Sequence, residues 1–236
     1  MVKLVFTPDW FLNNDILIEI VIFLVLFMFF IFSTRYYQLN KNKGILYLGI
    51  GFLLVAIGEA ASILTKLVLY YDTDITREIG HAIITHDVLT SVDIFYYAGF
   101  FITKFFVLMG FYLIYKIPAS RKLTTEFLLI VYLLAVTAIL SQNIPYLYHL
   151  TVFVLLFLII RNYYRIYAEN KSSNTKTLIL AFTILAFSQI IFIFSEFRYF
   201  YVTAQGIQLV SYIILLVLII KIHKNGAKKE PNRHTA

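Results

Sequence analysis

Long apolar runs separated by short polar segments organise this chain. They cover 15–34, 45–70, 94–116, 126–141, 145–165, 176–195 and 200–222, each nearly continuous in Leu, Ile, Val, Phe and Tyr. About 20 such residues, wound as a helix, cross a hydrocarbon layer about 30 Å thick. The pattern therefore predicts an all-α polytopic membrane protein. A seven-helix transmembrane domain is expected over 1–222, followed by a basic cytoplasmic tail at 223–236, with the fourth run the shortest. The first run is full length, begins among the acidic Asp9 and Asp15, and lacks a small-residue cleavage pattern. It is expected to remain as the first helix.

Charge between the runs supplies an orientation. Segments 34–44, 116–126, 161–176 and 221–236 hold 15 of the 20 basic residues. By the positive-inside rule these face the cytoplasm. Segments 1–14, 71–93, 141–145 and 195–199 carry only Lys3, Arg77 and Arg198, and 71–93 adds five acidic residues. The N-terminus is thus expected outside and the C-terminus inside, in the cell membrane. The net charge of +7 then reflects topology and a tail near anionic lipid. No nucleic-acid partner is expected.

Composition narrows the picture further. Hydrophobic residues make up 61% and charged residues 14%, where soluble domains carry about a quarter charged. With no cysteine, disulfides, iron–sulfur clusters and thiol nucleophiles are excluded. Of five histidines only His149 falls inside a run, so a buried bis-histidine haem lacks its second ligand and no cofactor is expected. No HExxH, GxSxG or paired intramembrane aspartates occur, and the middle of the last run, Val210-Ser211-Tyr212-Ile213, lacks the lysine a retinal protein carries there. The chain is not expected to be an enzyme. Its Ile-, Lys- and Asn-rich usage points to a prokaryotic source.

Charges at mid-membrane depth are costly and mark function by default. Counting 1.5 Å per residue, Glu59 in the second run and Lys104 in the third both fall near the midplane, close enough for sequential helices to bring them together. Lys66 follows Glu59 by seven residues, on the same helix face and nearer the outside. Glu19 in the first run reaches that same depth, giving a second pair. His149, Gln189, Gln205 and Gln208 fall between the midplane and the outer third. Polar groups thus gather in the outer half, over an inner half of aliphatic and aromatic residues. A pocket entered from outside is expected, rather than a continuous pore. A fixed Glu59–Lys104 ion pair that merely joins two helices is the bland alternative.

Smaller signals add detail. Gly51 and Gly58, with Ala56, Ala60, Ala61 and Ser62, are read as a close helix-packing face. No proline interrupts a run, unlike transporters built on broken helices. Ala56-Ile57-Gly58-Glu59 and Ala186-Phe187-Ser188-Gln189, each following a Tyr-Tyr pair, suggest a parallel 3+1+3 repeat in which Lys104 matches Gln208. In the 71–93 segment, His81, His86 and Asp87 are weak metal candidates; the favoured reading of that segment is a short amphipathic helix lying on the bundle, as a lid over the pocket.

Gly49-Ile50-Gly51-Phe52-Leu53-Leu54-Val55-Ala56 after a basic loop, and Gln205-Gly206-Ile207-Gln208-Leu209-Val210-Ser211-Tyr212 before an aliphatic exit helix, are aliphatic signatures. In them the chain resembles the seven-helix membrane-embedded sensor modules of bacterial and archaeal signalling proteins. That resemblance implies output to a cytoplasmic or membrane protein partner, since only 221–236 follows the last run. Three functions remain open: a receptor or sensor-like module binding a small ligand or ion around Glu59 and Lys104; a proton- or ion-coupled transporter with Glu59 titrating; and a structural subunit of a larger membrane complex.

Overall fold

A computed structural model of the chain describes residues 7–11, 13–41, 43–70, 91–116, 125–141, 144–195 and 197–227. The described residues form seven α-helices and no strand: α1 Asn14–Asn40, α2 Lys43–Tyr70, α3 Ser91–Lys116, α4 Thr125–Leu140, α5 Pro145–Asn170, α6 Ser173–Phe192 and α7 Arg198–Ala227. A short 3-10 turn, Asp9–Phe11, precedes α1. Six of the seven are long and apolar enough to cross a membrane. The exception is α4. Its 16 residues span about 24 Å at 1.5 Å each, short of a hydrocarbon core of about 30 Å.

Each helix packs on its neighbour in sequence, and α7 returns to α1, so the bundle closes into a ring. Behind α4, α3 touches α5 directly, which leaves α4 at the periphery. Large apolar side chains such as Leu24, Leu128, Leu133, Val154 and Val217 lie exposed on the outer surface. In water so many would be a liability; facing lipid they are the expected solvent contact.

The tightest seam is between α2 and α3, and small residues cause it. A methyl placed on Gly58 would lie 2.9 Å from the Thr103 carbonyl oxygen and 2.7 Å from Val107 Cγ2. On Gly110 it would meet the Gly51 carbonyl oxygen at 2.6 Å. The small residues of α2 are therefore a packing face, as the sequence pattern predicts. Without competing water, hydroxyls on the helices satisfy themselves locally: Thr65, Thr103, Thr151 and Thr183 each donate to the carbonyl four residues back.

Helices α1 and α5 stop in the same way. Lys41 (φ 53°) and Lys171 (φ 45°) each adopt the left-handed conformation after an asparagine. Their amides donate to the Tyr37 and Tyr167 carbonyls at 2.7 and 2.8 Å, closing the last turn.

A buried layer crosses the middle of the bundle. Phe29 packs on Phe52 with ring centroids 4.3 Å apart, Phe52 stacks on Phe182 at 6.2 Å, and Tyr163 lies 6.1 Å from Phe182. Leu26, Leu185 and Leu215 fill the space around them. Beside it the buried Ser211 hydroxyl donates to the Ala181 carbonyl at 2.8 Å, joining α7 to α6. Interhelical bonds of this kind contribute about 0.6 kcal/mol, rising to about 1.7. Ser211→Ala should lower bundle stability by that amount in detergent unfolding curves; an unchanged curve would mean that the bond contributes nothing net.

Candidate functional site

Above that layer, at the end where α1 begins, three helices are joined by one ammonium group. Asp15 and Glu19 are four residues apart on α1 and so share a face. From α2, Lys66 Nζ donates to Asp15 Oδ2 at 2.9 Å, to Glu19 Oε1, and to the Tyr201 hydroxyl of α7 at 3.2 Å. All three donors of the ammonium thereby meet oxygen. Asp15 is further held by the Thr7 hydroxyl at 3.2 Å and by the Ile16 amide at 2.9 Å. The Glu19–Lys66 pairing expected from depth is present. Asp15 and Tyr201 complete it; Asp15 passes for a flanking charge in the sequence, and its i, i+4 relation to Glu19 is the signal that points to it.

This cluster borders a cavity of about 200 Å³. All eight residues picked from the sequence line it: Glu19, Glu59 and Lys66 from the α1–α2 side, Lys104 from α3, His149 from α5, Gln189 from α6, and Gln205 and Gln208 from α7. Ser62, Tyr148 and Tyr212 add three hydroxyls that the sequence does not single out as ligand groups, and Tyr201, one of the tyrosines that the sequence gathers at the outer helix ends, adds a fourth. The His149 ring stacks on Phe192 with centroids 4.9 Å apart, and its Nδ1 meets Gln189 Oε1 at 2.9 Å. Gln205 donates to the Tyr201 hydroxyl at 3.2 Å. One oxygen of Glu19 and the side-chain oxygen of Gln205 are buried without a hydrogen-bond partner.

The central pair expected from the sequence does not form. Glu59 and Lys104 make no ion pair, so their charged atoms lie more than 4.0 Å apart. Lys104 Nζ instead donates to the Ser141 carbonyl at 2.9 Å and sits 5.9 Å from the centre of the Tyr148 ring. Ser141 follows the last turn of α4, where carbonyls lack intrahelical partners and a cation is favoured. The reason is rotational. Thr103 and Val107 face α2 at Gly58, and Lys104, one residue on from Thr103, is turned about 100° away.

At the opposite end the bundle is not uniformly filled. A second cavity of about 380 Å³ lies among α1, α2, α6 and α7, lined mainly by Phe29, Phe32, Leu48, Leu178 and Leu218, with Arg35 and Thr175 also on its wall. The two cavities share no lining residue, and Phe52, Phe182 and Leu215 are buried between them. The expected solid apolar inner half is thus a sealed layer with a recess beyond it.

His81, His86 and Asp87, together with the lid expected over 71–93 up to residue 90, lie outside the described residues, as does the tail from 228. Among the described residues, no three His, Asp or Glu side chains are grouped to hold a metal ion. Comparison with protein-family models, characterised proteins and solved structures gave no match. The site must therefore be read from its own chemistry.

Proposed function

We propose that the chain is a receptor or sensor-like module of the cell membrane, binding a small ligand in the cavity around Glu59 and Lys104. In this reading all seven helices cross the bilayer, the N-terminus lies outside, and the cavity opens outward. The distribution of basic residues supports that orientation. One observation carries the proposal: buried and half-buried charged and amide groups from five helices converge on one cavity while Glu59 and Lys104 leave each other unpaired. A pair serving only to join helices would close the gap between its charges. Ligand capture that draws α2, α3 and α7 together is the means of signalling, with output to a separate cytoplasmic or membrane protein partner, in keeping with the resemblance to seven-helix sensor modules.

The parallel 3+1+3 repeat belongs to the same reading. Matching Asn-Lys ends on α1 and α5 support it, as does the peripheral position of α4. The residues it would relate, Glu59 with Gln189 and Lys104 with Gln208, all border the cavity.

The second cavity favours one other reading, a small carrier whose substrate passes the aromatic layer by helix rearrangement. Purified protein in nanodiscs, screened by thermal unfolding against small cationic, anionic, zwitterionic and neutral solutes, tests the binding proposal. At least one class should stabilise the wild type, and Glu59→Gln and Lys104→Gln, both still folded, should weaken that effect roughly tenfold or more. No response to any class would remove the proposal. Flux of the stabilising solute into liposomes would assign the carrier reading instead of the receptor.

A further inference from the structure

Two opposite charges face one small cavity without neutralising each other. Glu59 is 91% buried, being 9% exposed, and has no ion-pair partner among the described residues. Lys104, half-buried, has one backbone carbonyl and the Tyr148 ring, and no carboxylate among the described residues. The other lysine, Lys66, is already committed to Asp15 and Glu19. Buried charges are costly unless paired, and among the described residues neither Glu59 nor Lys104 has a counter-charge.

We propose that the ligand is a small zwitterion of amino-acid type, its ammonium received by Glu59 and its carboxylate by Lys104. This deepens the ligand-binding reading above and rests on it. A cation alone would answer Glu59 and leave Lys104 bare; an anion alone would do the reverse. A molecule carrying both charges answers both in one event. The acceptors left over fit the same assignment. The unpartnered oxygens of Glu19 and Gln205 are acceptors without donors, and an ammonium has three donors to share. For the carboxylate, Lys104 keeps two donors beyond the one given to Ser141.

Size limits the class. A cavity of about 200 Å³ falls below the roughly 300–1,000 Å³ of pockets that take drug-sized ligands. That suits an amino acid with a short side chain and rejects a nucleotide or an oligosaccharide. Because the two charges are more than 4.0 Å apart, the length of the bridging molecule is itself selective, and the series glycine, β-alanine and γ-aminobutyrate reads that length.

The test compares these three and L-alanine with n-propylamine and propionate, by thermal unfolding and by displacement of radiolabelled zwitterion, on the whole chain in nanodiscs. One or more zwitterions should bind, with propylamine and propionate at least roughly tenfold weaker. Glu59→Gln and Lys104→Gln should each erase most of that preference; glutamine at 104 retains an N–H for the Ser141 carbonyl while removing the charge. The one-charge competitors act on wild-type protein, so the comparison survives even if a variant does not fold. Binding of propylamine or propionate as tight as that of any zwitterion would overturn this inference and leave the ligand-binding reading standing. Silence from every solute class in the wider screen would overturn both.

Discussion

Lys66→Met is expected to destabilise the bundle by about 3–5 kcal/mol, the usual loss when one partner of a buried ion pair is removed. The lysine and both of its acidic partners are buried: Asp15 is 0% exposed, Glu19 5% and Lys66 5%. Methionine preserves the length of the side chain and its apolar stem, so the loss reports the ammonium. Without it, two carboxylates one helical turn apart are left facing each other with almost no exposure to solvent, and the Tyr201 hydroxyl keeps only the donor from Gln205. Closure of the ring suffers most, because Lys66 links α2 to both α1 and α7. Unfolding curves in mixed micelles give the magnitude. The triple variant Asp15→Asn, Glu19→Gln, Lys66→Met should recover most of the loss, since replacing a whole buried ion cluster is often near neutral. A single-variant loss below about 1 kcal/mol would class the cluster with exposed ion pairs and remove its structural role.

That cluster also marks how far sequence reasoning reaches. Depth along a helix follows from counting residues, so the chain alone places Glu19 and Lys66 at one height, and they do meet. Rotation about the helix axis does not follow from depth. Glu59 and Lys104 share a height yet point into different sectors of one cavity, because the α2–α3 seam is set by the small residues and not by the charges. The glycines carry that signal. Gly99 meets Thr65 and Gly110 meets Gly51 across the seam, so the glycines of α3 define its α2 face and leave Lys104 off it. Asp15 escapes notice for another reason: a charge at the end of an apolar run reads as solvated unless a partner is known, and its partner lies 51 residues away. The peripheral place of α4 and the recess beyond the aromatic layer depend on long-range packing, which periodicity does not encode.

Gly110→Ala should cost about 1–3 kcal/mol, the range for overpacking a filled interior, although alanine is the better helix former by about 0.5–1 kcal/mol. The reason is what the new methyl meets. It would fall 2.6 Å from the Gly51 carbonyl oxygen, 2.6 Å from Val55 Cγ2 and 3.0 Å from the Val55 amide nitrogen. A side chain can rotate away, but a backbone carbonyl can retreat only if α2 and α3 separate. Gly206→Ala is the control, because nothing lies within 4 Å of the added methyl there; it should be neutral or slightly stabilising. Separation of α2 from α3 would also displace Glu59 and Lys104, which lie on the two sides of that seam. Gly110→Ala should therefore weaken ligand binding together with stability, although residue 110 does not line the cavity. Paired unfolding and binding measurements on the two alanine variants check this. Equal stability of the two would mean that the seam yields at no cost, and the close approach of α2 and α3 would then have no part in holding the site.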